Sequence, residues 1–337
     1  MGMLVWTRRI VLGALALVSA ALAVGLAYEQ GSRWSATRSY PPVGELIEVD
    51  GRRSHLQCTG EGEPTVVLES GWSVGGSMDW VKVQPAISRL TRVCSYDRAG
   101  VLWSERRRGP RDGARIATEL HALLEAASES PPYVMVGHSL GGALMRVFAS
   151  RFEDEVVGFV FVDSSHPDQD ERVPPFLRAS LLRPPSPFMM KLRSATGLYR
   201  RRASSGSYGL PTEISEVVDR FGPKSMTALA DEMAAMDEIL GQAGETGTLA
   251  DYPLVVLTAA NHATSGMSQA GMVAYQDTLL ALHAELAGLS TNADHRTIQH
   301  AHHYIQLVAP DAVVAAVQDV LAAVRDGTRL VPGGGTR

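Results

Sequence analysis

The sequence predicts an α/β domain, in which a mostly parallel β-sheet is flanked by helices. Strand-like apolar runs alternate with helix-like segments along most of the chain, which is typical of parallel strands joined by crossover helices. A Gly-x-Ser-x-Gly motif at residues 137–141 lies between one strand-like run and one helix-like run. This context indicates a tight strand-to-helix turn of the kind that exposes a reactive serine.

The composition is that of an ordinary globular enzyme. The chain has 337 residues, of which 45% are hydrophobic, and this is enough for one large domain or for one domain with an insertion. A formal net charge of −5 is small for this length, so the sequence shows no electrostatic footprint for nucleic acid. The arginine runs at residues 106–108 and 200–202 are interpreted as solvated turns.

The N-terminal segment is distinct from the domain. Arg8 and Arg9 precede an uncharged apolar run from Ile10 to Tyr28, which is long enough to cross a hydrocarbon core of about 30 Å. We expect residues 1–28 to form an uncleaved single-pass membrane anchor, with the domain outside the cytoplasm because the arginines stay inside. Signal cleavage near residue 27, which would give a secreted enzyme, is the alternative. Residues 29–42 are polar and are expected to form a tether.

From residue 43 onward the segments follow the order expected of such a sheet. A hairpin opens the domain, because the pair Asp50 and Gly51 favours a two-residue turn. The predicted strands are residues 46–52, 55–58, 65–69, 92–96, 133–136, 156–162, 254–258 and 297–300. The predicted helices are residues 81–90, 114–127, 143–149, 272–289 and 310–324, the last with a proline in its first turn.

Residues 164–252 interrupt this alternation. The first part of the segment is rich in proline, at Pro174, Pro175, Pro184, Pro185 and Pro187. The segment continues as a helix-like pattern from 211 to 240, and a loop of this length without secondary structure is uncommon in a compact domain. We therefore expect a mostly helical cap inserted into a core formed by residues 43–163 and 253–327, followed by a flexible tail, 328–337.

Ser139, at the centre of the Gly-x-Ser-x-Gly motif, is the candidate nucleophile. Gly137 and Gly141 remove side-chain bulk on both sides of it, as so tight a turn requires. The backbone N–H of Leu140 would then point to the place where an oxyanion forms. The alternative is a tight turn without chemistry.

Several motifs together resemble the α/β-hydrolase family, over nearly all of residues 46–324. They are the turn at Ser139, Ser-Gly-Trp at 70–72, Tyr-Asp-Arg-Ala-Gly at 96–100 and His303 near the C-terminus. The segments Val-Asp-Ser-Ser-His-Pro-Asp at 162–168 and His-Tyr-Ile-Gln-Leu at 303–307 are most similar to membrane-tethered bacterial serine hydrolases. The resemblance implies the α/β-hydrolase fold, with a mostly parallel sheet of eight strands, flanking helices and a mostly helical cap.

A serine hydroxyl needs a base beside it, because it is a poor nucleophile near neutral pH. The chain order serine, acid, histidine places the base after the last strand, which leaves His302 and His303 among ten histidines. The family pattern places this histidine directly before a Tyr-Ile pair and so selects His303, although His302 stands where that pattern has a small residue. His138 is expected to have a packing role, and His262 to lie in a loop or on the surface.

The acid of the triad has two candidate positions. Many family members carry it after the penultimate strand, but here that strand is followed by Asn261 and His262, with no carboxylate before Asp277. Other members carry it one strand earlier, where Asp163 ends an apolar strand and must find a donor or a cation. Asp163 is therefore the predicted partner of the histidine. A loop-capping role for Asp163, with Asp294 or no residue as the acid, is the alternative.

The loops after the third and fourth strands complete the predicted site. Gly71 lets the backbone approach the serine, so the N–H of Trp72 is the predicted second oxyanion donor, although the Trp72 side chain could simply line the pocket. Asp97 and Arg98 are interpreted as a structural ion pair that braces their loop.

The two cysteines of the chain, Cys58 and Cys94, fall in the second and fourth predicted strands. These strands are neighbours in the order that the family resemblance implies. In a domain outside the cytoplasm the two residues could form a disulfide. Two buried reduced thiols are the alternative.

These expectations describe a serine hydrolase that cleaves an ester-type bond of a small, apolar substrate through an acyl-enzyme, without a cofactor or metal. Serine at the turn disfavours the dehalogenase and epoxide-hydrolase branches of the family, which use aspartate there. A lactonase, an amidase, a perhydrolase and a weakly catalytic ligand-binding relative are the alternatives.

Overall fold

The computed structural model describes residues 2–173, 186–201, 209–262, 267–331 and 333. Most of the prolines predicted to open the cap lie outside the described residues, as do Arg202 and residues 334–337 of the expected tail. These prolines are Pro174, Pro175, Pro184 and Pro185.

Eight strands form one sheet in the order β1-β2-β4-β3-β5-β6-β7-β8. The strands are β1 (Glu45–Val49), β2 (Arg52–Thr59), β3 (Thr65–Glu69), β4 (Val93–Tyr96), β5 (Tyr133–His138), β6 (Val156–Val162), β7 (Leu254–Ala259) and β8 (Ala293–Ile298). β2 pairs antiparallel with β1 and with β4, and all other neighbours are parallel. The predicted eight-stranded, mostly parallel sheet is confirmed.

The central strands β3, β5, β6 and β7 are apolar almost throughout, because helices cover both faces of the sheet. Successive side chains point to opposite faces, so Val66 and Leu68 of β3 pack in one core cluster and Val67 packs in the other. The carboxyl ends of these parallel strands meet at one edge of the sheet. Ligands bind at this edge in open α/β sheets.

Helices surround the sheet and also form the insertion between β6 and β7. The helices are α1 (Gly2–Ser39), α2 (Gln84–Ile87), α3 (Gly113–Ala126), α4 (Leu140–Arg151), α5 (Gln169–Arg172), α6 (Pro187–Ala195), α7 (Thr212–Ala234), α8 (Met236–Gly244), α9 (Gln269–Ala287), α10 (Ile305–Val308) and α11 (Pro310–Asp326). Short 3-10 helices lie at Gly76–Trp80, Glu153–Glu155 and Leu198–Arg201. Helices α5 to α8 belong to the insertion, and we refer to this part as the cap.

Residues 29–39, which were expected to form a tether, instead continue helix α1 and pack against the cap. Glu29 is 1% exposed and Ala36 is also buried. The charge of Glu29 is compensated by Arg33 in the next turn and by Arg200 of the cap, with N···O distances of 2.7 Å to each. Glu29 is therefore part of a docking contact and not of a solvated linker, although most other residues of this segment are exposed.

Two other elements differ from the expected ones. β8 begins four residues before the predicted strand, because its polar residues Asp294 and Arg296 bind each other at 2.7 Å instead of facing solvent. The predicted helix at 81–90 is replaced by the 3-10 helix Gly76–Trp80 and the short helix α2, which has a proline in its first turn.

A disulfide joins Cys58 and Cys94. The two residues face each other in the antiparallel register of β2 and β4, which brings their Cα atoms to 4.1 Å. Of the two alternatives that the sequence leaves open, the structure has the oxidised pair.

Candidate active site

Ser139 lies in a strained turn between β5 and α4, with φ 52° and ψ −123°. Residues with a side chain rarely adopt a positive φ, so the surroundings must enforce it. A Cβ atom at Gly137 would lie 2.5 Å from the backbone of Gly141, and one at Gly141 would lie 2.5 Å from the carbonyl of Glu69. The two glycines are thus required by close backbone contacts, and the turn presents Ser139 at the carboxyl edge of the sheet.

The segment after β6 holds this turn in place. The N–H of Ser139 donates to the carbonyl of Val162 at 3.1 Å, and the N–H of Ser165 donates to the carbonyl of Ser139 at 2.9 Å. The Ser164 hydroxyl donates to that same carbonyl at 3.3 Å. The Val-Asp-Ser-Ser motif therefore fixes the backbone of the nucleophile and also carries Asp163 between these contacts.

Asp163 is buried and accepts three hydrogen bonds. Its Oδ1 accepts from the N–H of Ala259 at 2.8 Å, while its Oδ2 lies 2.7 Å from Nδ1 of His303 and 2.6 Å from Nε2 of His262. Burial alone would raise the pKa of Asp163, but the hydrogen bonds and charges of the two histidines hold it well below its usual value. Asp163 is thus a carboxylate near neutral pH.

The structure brings His303, and not His302, to Asp163. The His138 ring, next to the nucleophile, packs 4.6 Å from the His303 ring, and its Nε2 donates to the His303 carbonyl at 2.9 Å. Burial lowers the pKa of His138 to about 3, so His138 is neutral and holds the His303 loop beside the turn. His302 Nδ1 instead accepts from the N–H of Tyr304 at 3.3 Å.

His262 is a part of this site that the sequence did not predict. It is not in a surface position, since its side chain is 6% exposed. Gln276 donates from Nε2 to the carbonyl of Ala259 at 2.8 Å, so its Oε1 faces Nδ1 of His262 at 2.9 Å and requires a proton there. Asp163 requires a second proton on Nε2. Burial lowers the pKa of His262, but the hydrogen bond and charge of Asp163 outweigh this and raise it above the ordinary value, which favours the form with protons on both ring nitrogens.

A third histidine near Asp163 is neutral. Nδ1 of His283 lies 4.0 Å from Oδ1 of Asp163, but it is bound to the Thr258 hydroxyl at 2.7 Å, and its Nε2 donates to the carbonyl of Ser164 at 2.9 Å. Burial lowers the pKa of His283 to about 4. The positive charge on this side of Asp163 is therefore concentrated on His262.

The two predicted oxyanion donors are the backbone N–H of Leu140, directly after the nucleophile, and the backbone N–H of Trp72. Gly71 is so close to the turn that a Cβ atom there would lie 2.9 Å from Cβ of Ser139, and Trp72 follows directly. Among the described residues, no acceptor pairs with the backbone N–H of Trp72 or of Leu140. The Trp72 side chain binds the cap, since its Nε1 donates to the carbonyl of Leu229 at 2.9 Å.

Arg98 fixes the loop that carries Trp72. Its guanidinium donates to the carbonyls of Ser70 at 2.7 Å and Gly71 at 2.8 Å, and it pairs with Glu69 at 2.6 Å and with Glu232 of α7 at 2.8 Å. The prediction that Arg98 forms an ion pair with its neighbour Asp97 is therefore wrong, because Arg98 pairs with other residues.

Asp97 instead pairs with Nδ1 of His55 at 2.9 Å and accepts from the N–H of Ser77 at 2.9 Å.

Three clusters of the described residues bring possible metal ligands within 4.8 Å of one another. The first consists of Asp163, His262 and His303, whose donor atoms are engaged in the hydrogen bonds described above. The second consists of Glu129 and the two cysteines of the disulfide, and the third consists of His166 with the exposed Asp168 and Glu285. The geometry of the turn at Ser139 does not depend on a metal in any of these three clusters.

This strand order, with a serine on the turn after β5 and an aspartate and histidine beyond the later strands, defines an α/β hydrolase. A sequence profile of the alpha/beta hydrolase fold matches residues 64–182. The chain has the α/β-hydrolase fold.

Known relatives match this chain over different lengths. An AB hydrolase superfamily protein of Gibberella zeae is 25% identical over 299 residues, which are 78% of this chain and 88% of that protein. The putative lipase lip1 of Acinetobacter baumannii superposes with a TM-score of 0.61 and 17% identity, over 89% of this chain and 97% of its own. The epoxide hydrolase CorEH gives a TM-score of 0.61 with 19% identity, over 83% and 99%. The matches to the first three curated relatives span only 18%, 26% and 46% of those proteins.

Proposed function

We propose that this protein is a serine hydrolase that cleaves ester bonds by acyl transfer. The observation that carries the proposal is the conjunction of a strained Ser139 with a histidine bound to a buried carboxylate, His303 to Asp163 at 2.7 Å. Serine at the turn distinguishes this chain from a hydrolase that attacks with aspartate. An apolar, ester-like small molecule is the substrate class that this nucleophile fits best.

The proposed mechanism assigns one role to each of these groups. Ser139 Oγ attacks the carbonyl carbon of the ester while Nε2 of His303 takes its proton, and the N–H groups of Leu140 and Trp72 donate to the oxyanion. His303 then gives the proton to the leaving alcohol, and the acyl group remains on Ser139. Water attacks the acyl-enzyme, again losing a proton to His303, and the carboxylic acid is released. Asp163 keeps a proton on Nδ1 of His303 throughout, and the described chemistry needs no metal.

His262 is assigned a positioning role in this mechanism. Asp163 could swing between conformers if His303 were its only partner, because a single hydrogen bond leaves the carboxylate free to rotate. The backbone N–H of Ala259 and the imidazolium of His262 hold the carboxylate from two further directions. Gln276 in turn holds His262 at 2.9 Å.

The membrane anchor is a second part of the proposal. Residues 3–24 of α1 are exposed throughout, and the helix contains a window with a mean hydropathy of 2.5. Arg8 and Arg9 precede the apolar run and favour a cytoplasmic N-terminus, which would place the catalytic domain outside. The disulfide between Cys58 and Cys94 agrees with an oxidising compartment.

The proposed activity is tested by turnover of chromogenic esters, from acetyl to palmitoyl, and by covalent labelling with a fluorophosphonate. Ser139→Ala is expected to abolish both signals without changing the circular dichroism spectrum, since alanine fits the turn as well as serine. Ser150→Ala, an exposed serine at the far end of α4, is the matched control and should retain both. His303→Ala should be nearly as damaging as Ser139→Ala, because triad members act as a unit.

The same panel separates the alternatives. A severe loss of activity in His302→Ala with a mild loss in His303→Ala would show that His302, and not His303, is the base. Turnover of lactones or amides in preference to esters would change the substrate class, and binding without turnover or labelling would make this a ligand-binding relative.

A further inference from the structure

The cap is fixed to the outer end of the apolar helix. Gly25 of α1 lies against the cap so closely that a Cβ atom there would be 2.9 Å from the carbonyl oxygen of Thr196. One turn further on, Glu29 is buried between Arg33 and Arg200, and Ala36 packs with residues of α7. Three successive contacts along α1 thus hold the cap and the helix as one unit.

This docking determines where the cap would lie in a membrane. The apolar run from Ile10 to Tyr28 extends about 28 Å as a helix, close to the roughly 30 Å of a hydrocarbon core. Gly25 and Tyr28 belong to its last turn, and these are the residues that touch Thr196 and Gly197. If α1 spans the bilayer, the turn at residues 195–198 must sit at the boundary between hydrocarbon and headgroups.

The cap surface beside this turn has the composition of a membrane-contacting surface. Leu198 is 51% exposed and Phe188, in the first turn of α6, is 71% exposed. The half-buried Lys191 and Arg193 follow on α6, and Lys191 pairs with Asp231 of α7 at 2.5 Å. Exposed apolar side chains beside basic ones are typical of helices that lie in the bilayer interface.

The adjoining surface of α1 changes from apolar to polar at the same level. A groove with a volume of about 450 Å³ runs between α1 and the cap beyond the apolar run. It is lined by polar residues of both partners, among them Ser32, Ser35, Arg200 and Arg220. A polar groove directly above an apolar surface matches the order of headgroup and hydrocarbon in a leaflet.

Helix α6 connects this surface with the candidate active site. Met190 is buried against Leu229 and Ala230 of α7, and the side chain of Trp72 packs on the same cluster. Trp72 follows Gly71, which lies against Ser139, and its N–H is the predicted second oxyanion donor. From Met190 to Thr196 the distance along the helix is about 9 Å. The wall of the active site and the membrane boundary are therefore two ends of one short helix.

We propose that helix α6 and the turn at residues 195–198 contact the outer leaflet, and that the substrate of Ser139 is an ester dissolved in the bilayer that reaches the site along this surface. The inference rests on the proposed serine hydrolase with a membrane-spanning α1. The partner is the lipid surface itself, because the exposed Leu198 directly follows the residues of the cap that lie against Gly25 and Tyr28 of α1.

Depth measurements on the full-length protein in vesicles of phosphatidylcholine and phosphatidylglycerol test the contact. Because both native cysteines are paired, a single new cysteine can be labelled with an environment-sensitive fluorophore and quenched by spin-labelled lipids. The label on Leu198→Cys is expected to be quenched at the interface, and the label on Leu17→Cys in the bilayer centre. Ser130→Cys is the matched control, since it is exposed at the opposite edge of the sheet, before β5, and should not be quenched.

Activity in the same vesicles tests the substrate class. Leu198→Glu and Phe188→Glu are expected to lower turnover of a long-chain ester dissolved in the vesicles several-fold, and to leave turnover of a water-soluble acetyl ester unchanged. Ser130→Glu should change neither. The ratio of the two activities distinguishes loss of membrane contact from loss of folding, which would lower both.

The outcomes separate this inference from the proposed function. Quenching at Leu17 without quenching at Leu198, or equal effects of Leu198→Glu on both esters, would overturn the inference and leave the serine hydrolase intact. An unquenched Leu17 label would overturn both the spanning helix and the cap contact. If the wild-type protein turns over neither ester, both the proposed activity and the assigned substrate are wrong. The depth measurement still decides whether the cap contacts the membrane.

Discussion

The positive charge on His262 is expected to set the pH range in which the candidate base works, and His262→Gln tests this. Glutamine places an amide donor near the position of Nε2, so the hydrogen bond to Asp163 can persist while the charge is lost. Without that charge, the negative charge of Asp163 acts on His303 alone. The protonated form of His303 is then stabilised, and the acid limb of the pH–activity profile moves to higher pH.

The size of this shift follows from the geometry. The rings of His262 and His303 are 6.4 Å apart, and two unit charges at that distance interact with roughly 2.6 kcal/mol at an effective dielectric constant of about 20. That energy corresponds to an upper limit of about two pH units. Because 42% of the His303 side chain is exposed, solvent screening reduces the expectation to roughly one pH unit.

The assay is kcat/KM against pH for a water-soluble chromogenic ester, with wild type, His262→Gln and a control. His121→Gln is the control, since His121 stacks on Phe152 and pairs with Glu155, remote from Asp163. The control should keep the wild-type acid limb. An acid limb of His262→Gln that stays in place, or that moves to lower pH, would show that His262 is not a cation in the working enzyme.

Three further predictions concern the acid, a buried carboxyl and the anchor. Asp163→Asn is expected to lower kcat by up to about 10⁴-fold because His303 loses its orienting partner. Asp294→Asn should lower kcat far less, since the Asp294 carboxylate binds Arg296. Similar mild losses in both variants would place the acid elsewhere. Burial raises the pKa of Asp79 to about 7 from 3.8, so the folded state retains a proton that the unfolded state releases, and stability falls as pH rises between these values. Asp79→Asn should therefore raise the free energy of unfolding in urea, by up to about 4 kcal/mol near pH 8 and by little near pH 4. An equal change at both pH values would contradict the raised pKa of Asp79. Full-length protein should resist carbonate extraction from membranes, and protease added to intact spheroplasts should digest the domain; protection until lysis would reverse the orientation inferred from Arg8 and Arg9.

The sequence predicts the sheet well because its central strands are apolar over their whole length and are separated by helix-like segments. It predicts β8 poorly, since Asp294 and Arg296 neutralise each other inside an edge strand and so resemble a loop. The end of α1 is missed for a similar reason. Glu29 has the character of a linker residue until its partner Arg200, far along the chain, is known.

The candidate site shows the same limit. Ser139, Asp163 and His303 stand at places that local motifs mark, each at the end of a strand or in the loop after one. His262 belongs to no motif, and its role depends on β6 and β7 being parallel neighbours, so that the residues after both strands meet at one edge. The expected strand order could have revealed this adjacency. A histidine three residues after β7 lies beside Asp163 when β6 and β7 are parallel neighbours.

The buried contacts of Arg98 have a consequence for exchanging caps between related enzymes. One guanidinium holds the backbone of Ser70 and Gly71 on the core side and Glu232 on the cap side. A transplanted cap without a carboxylate at this position would leave Arg98 paired with Glu69 alone in the interior, and breaking a buried ion pair costs about 3–5 kcal/mol. The loop that carries the Trp72 N–H would relax when Arg98 loses this partner. A chimera with a new specificity would therefore lose turnover on every substrate unless the graft also brought its own counterion for Arg98.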